Sequence, residues 1–131
     1  MKLPMFVIVM SLPALVSAHH SFAMFDLTQK IEFKGTVADF EWSSPHVWIQ
    51  LMVLDPQTGK SIEWSIEAPS IPGLVRLGWR ADSLKRGDRI TVDVHPLRAG
   101  GPGGALQDVI LPDGRHLGQT SGQVSRDQSA R

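Results

Sequence analysis

Hydrophobic and polar residues alternate along much of the chain. From His46 to Leu54 (HVWIQLMVL), Val47, Ile49, Leu51 and Val53 fall on one side of an extended backbone, with Trp48, Met52 and Leu54 on the other. A period of two predicts a strand, and apolar residues on both sides predict a central strand covered on both faces. Asp55-Pro56-Gln57-Thr58-Gly59 is turn chemistry and closes a hairpin into Ser61–Ala68, where Ile62, Trp64 and Ile66 alternate with Ser61, Glu63, Ser65 and Glu67. Upstream, Ile31–Trp42 reads as a strand in which Gly35 predicts a bulge or sharp bend, and Ser43-Ser44-Pro45 is a turn.

Downstream, Ser70–Leu77 predicts one or two helical turns, with Ser70 at the N-cap and Pro72 in the first turn. Asp82–Asp88 (DSLKRGD) is a polar turn whose Gly87 suits a left-handed backbone better than it suits a phosphate cradle. Arg89–His95 is a strand with Ile90, Val92 and Val94 inward, Ala99–Gly104 (AGGPGG) a flexible loop, and Ala105–Leu111 another strand. Pro112-Asp113-Gly114 turns the chain into a last short pairing at Arg115–Leu117. The chain is therefore mainly β: a small antiparallel five- to six-stranded barrel. One short helix between the third and fourth strands is the arrangement of an oligonucleotide/oligosaccharide-binding (OB) barrel.

The ends read differently. Met1-Lys2 followed by the uncharged apolar run Leu3–Val16, then Ser17-Ala18, has the parts of a cleavable signal peptide over residues 1–18. The run is shorter than the roughly 20 residues a membrane span needs. One domain is expected over 19–118, opening with an arm at 19–30 anchored by Phe22, Met24 and Phe25, and followed by a disordered polar tail at 119–131. A cysteine-free exported chain fits a periplasmic location.

Charge and catalytic chemistry narrow the function classes. After signal removal 12 lysines and arginines face 13 acidic residues, which predicts no nucleic-acid partner and no adhesion to anionic lipid. Without cysteine there is no thiolate nucleophile, and no serine sits in a glycine-flanked elbow. Glu63 and Glu67 share a strand face about 13 Å apart, too wide for a glycoside-cleaving pair. The expectation is a protein that is not an enzyme. Four tryptophans (Trp42, Trp48, Trp64 and Trp79) are many for this size, and core packing is the expected role of Trp48 and Trp64.

The five histidines carry the candidate chemistry. Cleavage after Ala18 gives His19 a free α-amine beside its own imidazole, and the amine nitrogen and Nδ1 can chelate one metal ion in a six-membered ring. These groups titrate near about 8 and about 6.5, so both shed protons readily near neutrality. Nitrogen donors favour copper, with nickel and zinc behind. A third nitrogen would come from His20, His46 or His95, each beside a turn or loop, and Met24 offers a thioether for cuprous ion. The plainer reading is that His46 and His95 hydrogen-bond local turns. His95 shares the outward face with Thr91 and Asp93, and His116 reads as a surface residue.

The run HHSFAMFD at 19–26, GTV at 35–37, W-S-S-P-H at 42–46, Trp64, Glu67, LVRLGWRADSLKRGD at 74–88, His95-Pro96-Leu97-Arg98 and L-P-D-G-R at 111–115 resemble a bacterial exported family, the domain of unknown function 6152. Members usually carry Asn where Ser44 stands. The resemblance brings no activity. It implies that His19-His20, Pro45-His46 and His95-Pro96 belong to one pattern. The leading expectation is a periplasmic, non-enzymatic binding domain for a metal, most simply copper, with a periplasmic protein as a further partner. The alternative is a barrel that takes an organic ligand or a protein through its face and the Ala99–Gly104 loop, without metal.

Overall fold

The computed structural model of the chain describes residues 22–118. The expected signal peptide, His19, His20 and the expected polar tail lie outside the described residues. A 3-10 turn at Phe22–Met24 precedes β1 (Ile31–Glu41), β2 (Trp48–Leu54), β3 (Ser61–Glu67), the helix α1 (Ile71–Arg76), β4 (Arg89–Pro96), β5 (Gly103–Ile110) and β6 (His116–Gly118). Neighbouring strands run β3-β2-β1-β4-β5-β6, and a further pairing of β3 with β5 closes the first five into a barrel. With α1 between β3 and β4, this is the expected OB-type topology.

One pairing differs from the expected antiparallel barrel. β3 and β5 run parallel over three residue pairs, Ser65↔Gly103, Ile66↔Gly104 and Glu67↔Ala105. The reason is parity: a closed ring with an odd number of strands cannot alternate direction throughout, so at least one neighbouring pair must be parallel.

The inward face follows the alternation. Ile49, Leu51, Ile66, Val92, Val94, Leu106 and Val109 are fully buried in one cluster with Leu74 of α1, Trp79 and Leu84. α1 is a surface helix that contributes one fully buried side chain, Leu74. Ser70 occupies its N-cap position without a side-chain cap bond, and Pro72 falls in the first turn. The Ser44-Pro45 peptide is cis, and Gly87 adopts the left-handed backbone (φ 91°) expected of the polar turn.

Gly35 is not the bulge. The register slips between Val37 and Asp39, whereas Gly35 lies where β1 passes under β2, and a Cβ there would stand 2.6 Å from Leu51 Cγ. Gly103 and Gly104 belong to β5 rather than to a loop. A Cβ at Gly104 would meet the His95 carbonyl oxygen at 2.8 Å, so glycine permits the close β4–β5 approach. Trp48 is also corrected. It points away from the barrel and is only half-buried, and Leu54 is exposed, so the outer face of β2 is not covered. Trp79 is the fully buried tryptophan, and its Nε1 donates to the Gly118 carbonyl at 3.4 Å. Trp64 packs against the core with its ring 4.5 Å from that of Phe33.

Candidate functional site

The segment before β1 docks on the outside of the barrel through its main chain. Asp26 N–H donates to the Pro96 carbonyl at 2.8 Å and Arg98 N–H to the Met24 carbonyl at 2.9 Å, with Phe25 bridged antiparallel to Leu97. The Arg98 guanidinium adds a bond from Nε to the Ala23 carbonyl at 3.0 Å. Of the three expected anchors only Phe25 is one, at 4 % exposure; Phe22 and Met24 are 62 % and 47 % exposed. Phe22 and Phe25, three residues apart and joined by the Phe25 N–H to Phe22 carbonyl bond, share one side of the turn and both line the depression described next, but only Phe25 is covered there.

Phe25 is buried yet stands apart from the barrel-core cluster. It lies over the outer face, in a depression lined by Phe22, Phe25, His46, Glu67, the Ala68–Pro69 pair and Ala105. Cross-strand register explains the meeting. Directly paired residues share a sheet face, so Glu41, Trp48, Glu67, Ala105 and His95 form one outward row across β1, β2, β3, β5 and β4. Ala105 is small enough for the Phe25 ring to lie over that row.

His46, just before β2, turns its ring toward the end of β3. Nδ1 stands 3.3 Å from the Ala68 carbonyl and 3.2 Å from Glu67 Oε1. A carbonyl oxygen only accepts, so Nδ1 carries the proton and the ring's lone pair sits on Nε2. The side chains of His46 and Glu67 are 30 % and 12 % exposed. His95 occupies the other end of the row, two strand spacings or about 10 Å from Glu67, and its Nδ1 bonds the Gln29 carbonyl where the arm turns into β1. The two histidines thus lie on the same side of the barrel and both border the arm's seat, but they do not touch a common point. His116 is apart from both and pairs with Asp108 at 2.6 Å.

Among the described residues no group of three or more His, Cys, Asp or Glu side chains is arranged to hold a metal ion. Glu67 is the site residue that sequence reasoning left out. The hairpin contains the signal for it: pairing Leu54 with Ser61 across the turn fixes Trp48 opposite Glu67, two positions from His46. At the arm's far end Asp26 accepts from the Thr28 hydroxyl at 2.6 Å and Thr28 N–H at 3.1 Å. These bonds, with those from Gln29 and the charge of Arg98, hold its carboxyl below the usual aspartate value.

The chain belongs to a family of unknown function (DUF6152), whose model matches residues 7–107. No curated protein matches it. Two crystal forms of Rim1, a mitochondrial single-stranded DNA binding protein of S. cerevisiae, are similar in structure. One is 13 % identical with a TM-score of 0.49, covering 64 % of this chain and 93 % of that one. The other is 13 % identical with a TM-score of 0.48, covering 64 % and 92 %. These neighbours, named for a nucleic-acid ligand, overturn the expectation that the charge balance excludes a nucleic-acid partner. Net charge is a sum over the chain and does not describe any one groove. The likeness itself assigns no partner to this protein.

Proposed function

We propose that the mature protein is an exported, non-enzymatic periplasmic binding domain that holds a copper ion where its N-terminal arm meets His46. The observation that carries this is the position of Phe22: it lines the same depression as His46 and Glu67. His19 stands three residues earlier in the chain, so a fully extended backbone keeps it within about 10 Å of that point. Cleavage after Ala18 would therefore leave an α-amine and an imidazole within chain reach of His46. His46 Nε2 supplies the third nitrogen, a donor set that suits copper above the other divalent ions. His20 and the half-exposed Met24 are further donors on the same arm, and His95 acts by fastening the arm through Gln29.

The site is incomplete without the terminus, which makes the test direct. Mature protein beginning at His19 is titrated with Cu(II) and followed by calorimetry and electron paramagnetic resonance. One tight equivalent is expected. It should be lost when one residue is added ahead of His19, and weakened by His46→Ala. Absence of tight binding, or binding indifferent to the added residue, refutes the proposal. So does a secreted protein whose measured mass places its first residue elsewhere.

A further inference from the structure

Charge is unevenly shared over the surface. Between positions 76 and 89 stand five cations, Arg76, Arg80, Lys85, Arg86 and Arg89, against two carboxylates, Asp82 and Asp88. The other described residues carry five cations against ten carboxylates. All five cations of the segment are exposed. Among the described residues none of them pairs with a carboxylate side chain, whereas Lys30, Arg98 and Arg115 do. The Asp88 carboxylate is drawn to main chain instead, accepting the Lys85 N–H at 2.9 Å.

The segment is built to hold these charges outward. Leu74, Trp79 and Leu84 are buried in the core cluster and pin it to the barrel. Gly87 N–H donates to the Val37 carbonyl and Val37 N–H to the Asp88 carbonyl, each at 2.8 Å, which fastens the Lys85–Asp88 turn to β1. Arg80 Nη1 donates to the Trp79 carbonyl at 2.9 Å and lies along the main chain. The cations therefore stand on a fixed backbone. The segment's aromatic residue, Trp79, is fully buried, so it offers no ring on which a base could stack. Val75, beside Arg76, is 42 % exposed and gives the apolar contact that a lipid interface accepts.

We propose that this basic segment docks the protein on an anionic membrane surface, with lipid phosphates as the groups it grips. A balanced net charge predicts no such adhesion, but a sum carries no direction. A domain free to rotate turns its cationic side to the lipid, and carboxylates more than about 10 Å from the surface are screened by salt. Each lysine or arginine near an anionic surface strengthens binding about five-fold. No copper is involved, so this proposal and the copper reading stand or fall separately.

The test floats metal-free mature protein with vesicles of phosphatidylglycerol and phosphatidylethanolamine in equal parts, and with phosphatidylcholine vesicles as the uncharged reference. Binding to the anionic vesicles alone is expected. It should vanish when salt rises from about 0.1 M to about 1 M, where the screening length falls from about 10 Å to about 3 Å. Lys85→Gln combined with Arg86→Gln should weaken it about 25-fold, while the charge-keeping pair Lys85→Arg and Arg86→Lys should bind as the parent does. Lys60→Gln, which removes an exposed cation from the β2–β3 hairpin, should leave binding unchanged. No preference for anionic vesicles, or a loss at Lys60→Gln as large per charge as at the turn, overturns the proposal. So does tighter binding, phosphate for phosphate, to a single-stranded oligodeoxynucleotide. Full competition by inorganic phosphate at constant ionic strength marks a free-anion site and overturns it as well.

Discussion

Replacing Phe25 with alanine separates the arm from the barrel energetically. The ring is 4 % exposed and lies outside the core cluster, so its burial holds the arm down rather than filling the barrel. Fully burying such a side chain contributes about 2 to 3 kcal/mol. A truncation inside a core would cost more, because the surroundings cannot collapse. Here the arm can lift away, and the loss is capped by its own docking free energy. Local opening should therefore become roughly 30- to 150-fold more frequent. Native-state hydrogen exchange reads this at Asp26 N–H, bonded to the Pro96 carbonyl, and at Arg98 N–H, bonded to the Met24 carbonyl. Barrel amides such as Val37 N–H, bonded to the Asp88 carbonyl, should keep their protection. Copper affinity should fall in proportion to the fraction of arms undocked. Unchanged exchange at the arm amides, or a matching loss of protection throughout the barrel, would refute a separately held arm.

Further outcomes follow from burial and close approach. Leu106→Ala removes a fully buried side chain from the cluster and should cost about 2 to 5 kcal/mol, measured by chemical denaturation. Gly104→Ala puts a Cβ 2.8 Å from the His95 carbonyl oxygen and 2.9 Å from Val94 Cγ2 and should cost about 1 to 3 kcal/mol. Gly73→Ala, whose nearest neighbour would be Pro69 Cβ at 3.4 Å, should be neutral or stabilise α1 by up to about 1 kcal/mol in the same assay. Asp26 links the arm to acid. Its folded pKa is lowered, first by the Thr28 hydroxyl, so its contribution is complete above the ordinary value of 3.8 and is lost as pH falls through the lowered one. Exchange at the arm amides should accelerate below that pH, and Asp26→Asn should abolish the acid dependence; an unaltered profile in the variant would contradict this.

The barrel was legible because its inward positions keep strict alternation. Ile49, Leu51, Ile66, Val92 and Val94 each read as core and each is fully buried. The outer face was less legible, since an apolar residue there looks the same in sequence as one inside. Trp48 is the example: it points outward on a row that only cross-strand pairing reveals. Glycine misled in two ways. At Gly35 and at Gly103–Gly104 it marks a near contact between backbones, whereas composition alone suggests a bend or a loop. Within the candidate site His46 was visible from Pro45-His46, but Glu67 was read only beside Glu63, as a carboxylate pair too widely spaced for glycoside cleavage. Its partner lies 21 positions away in the chain, and only the hairpin register brings the two together.

The parallel join between β3 and β5 has a mechanical side. Without it the six strands are one rolled sheet in the order β3-β2-β1-β4-β5-β6, and three residue pairs, two of them through glycines, act as the clasp. Glu67 is the last link of that clasp and faces the depression as well. Whatever grips its carboxylate also fastens the roll, so occupancy of the mouth and resistance of the barrel to unrolling are coupled through a single residue.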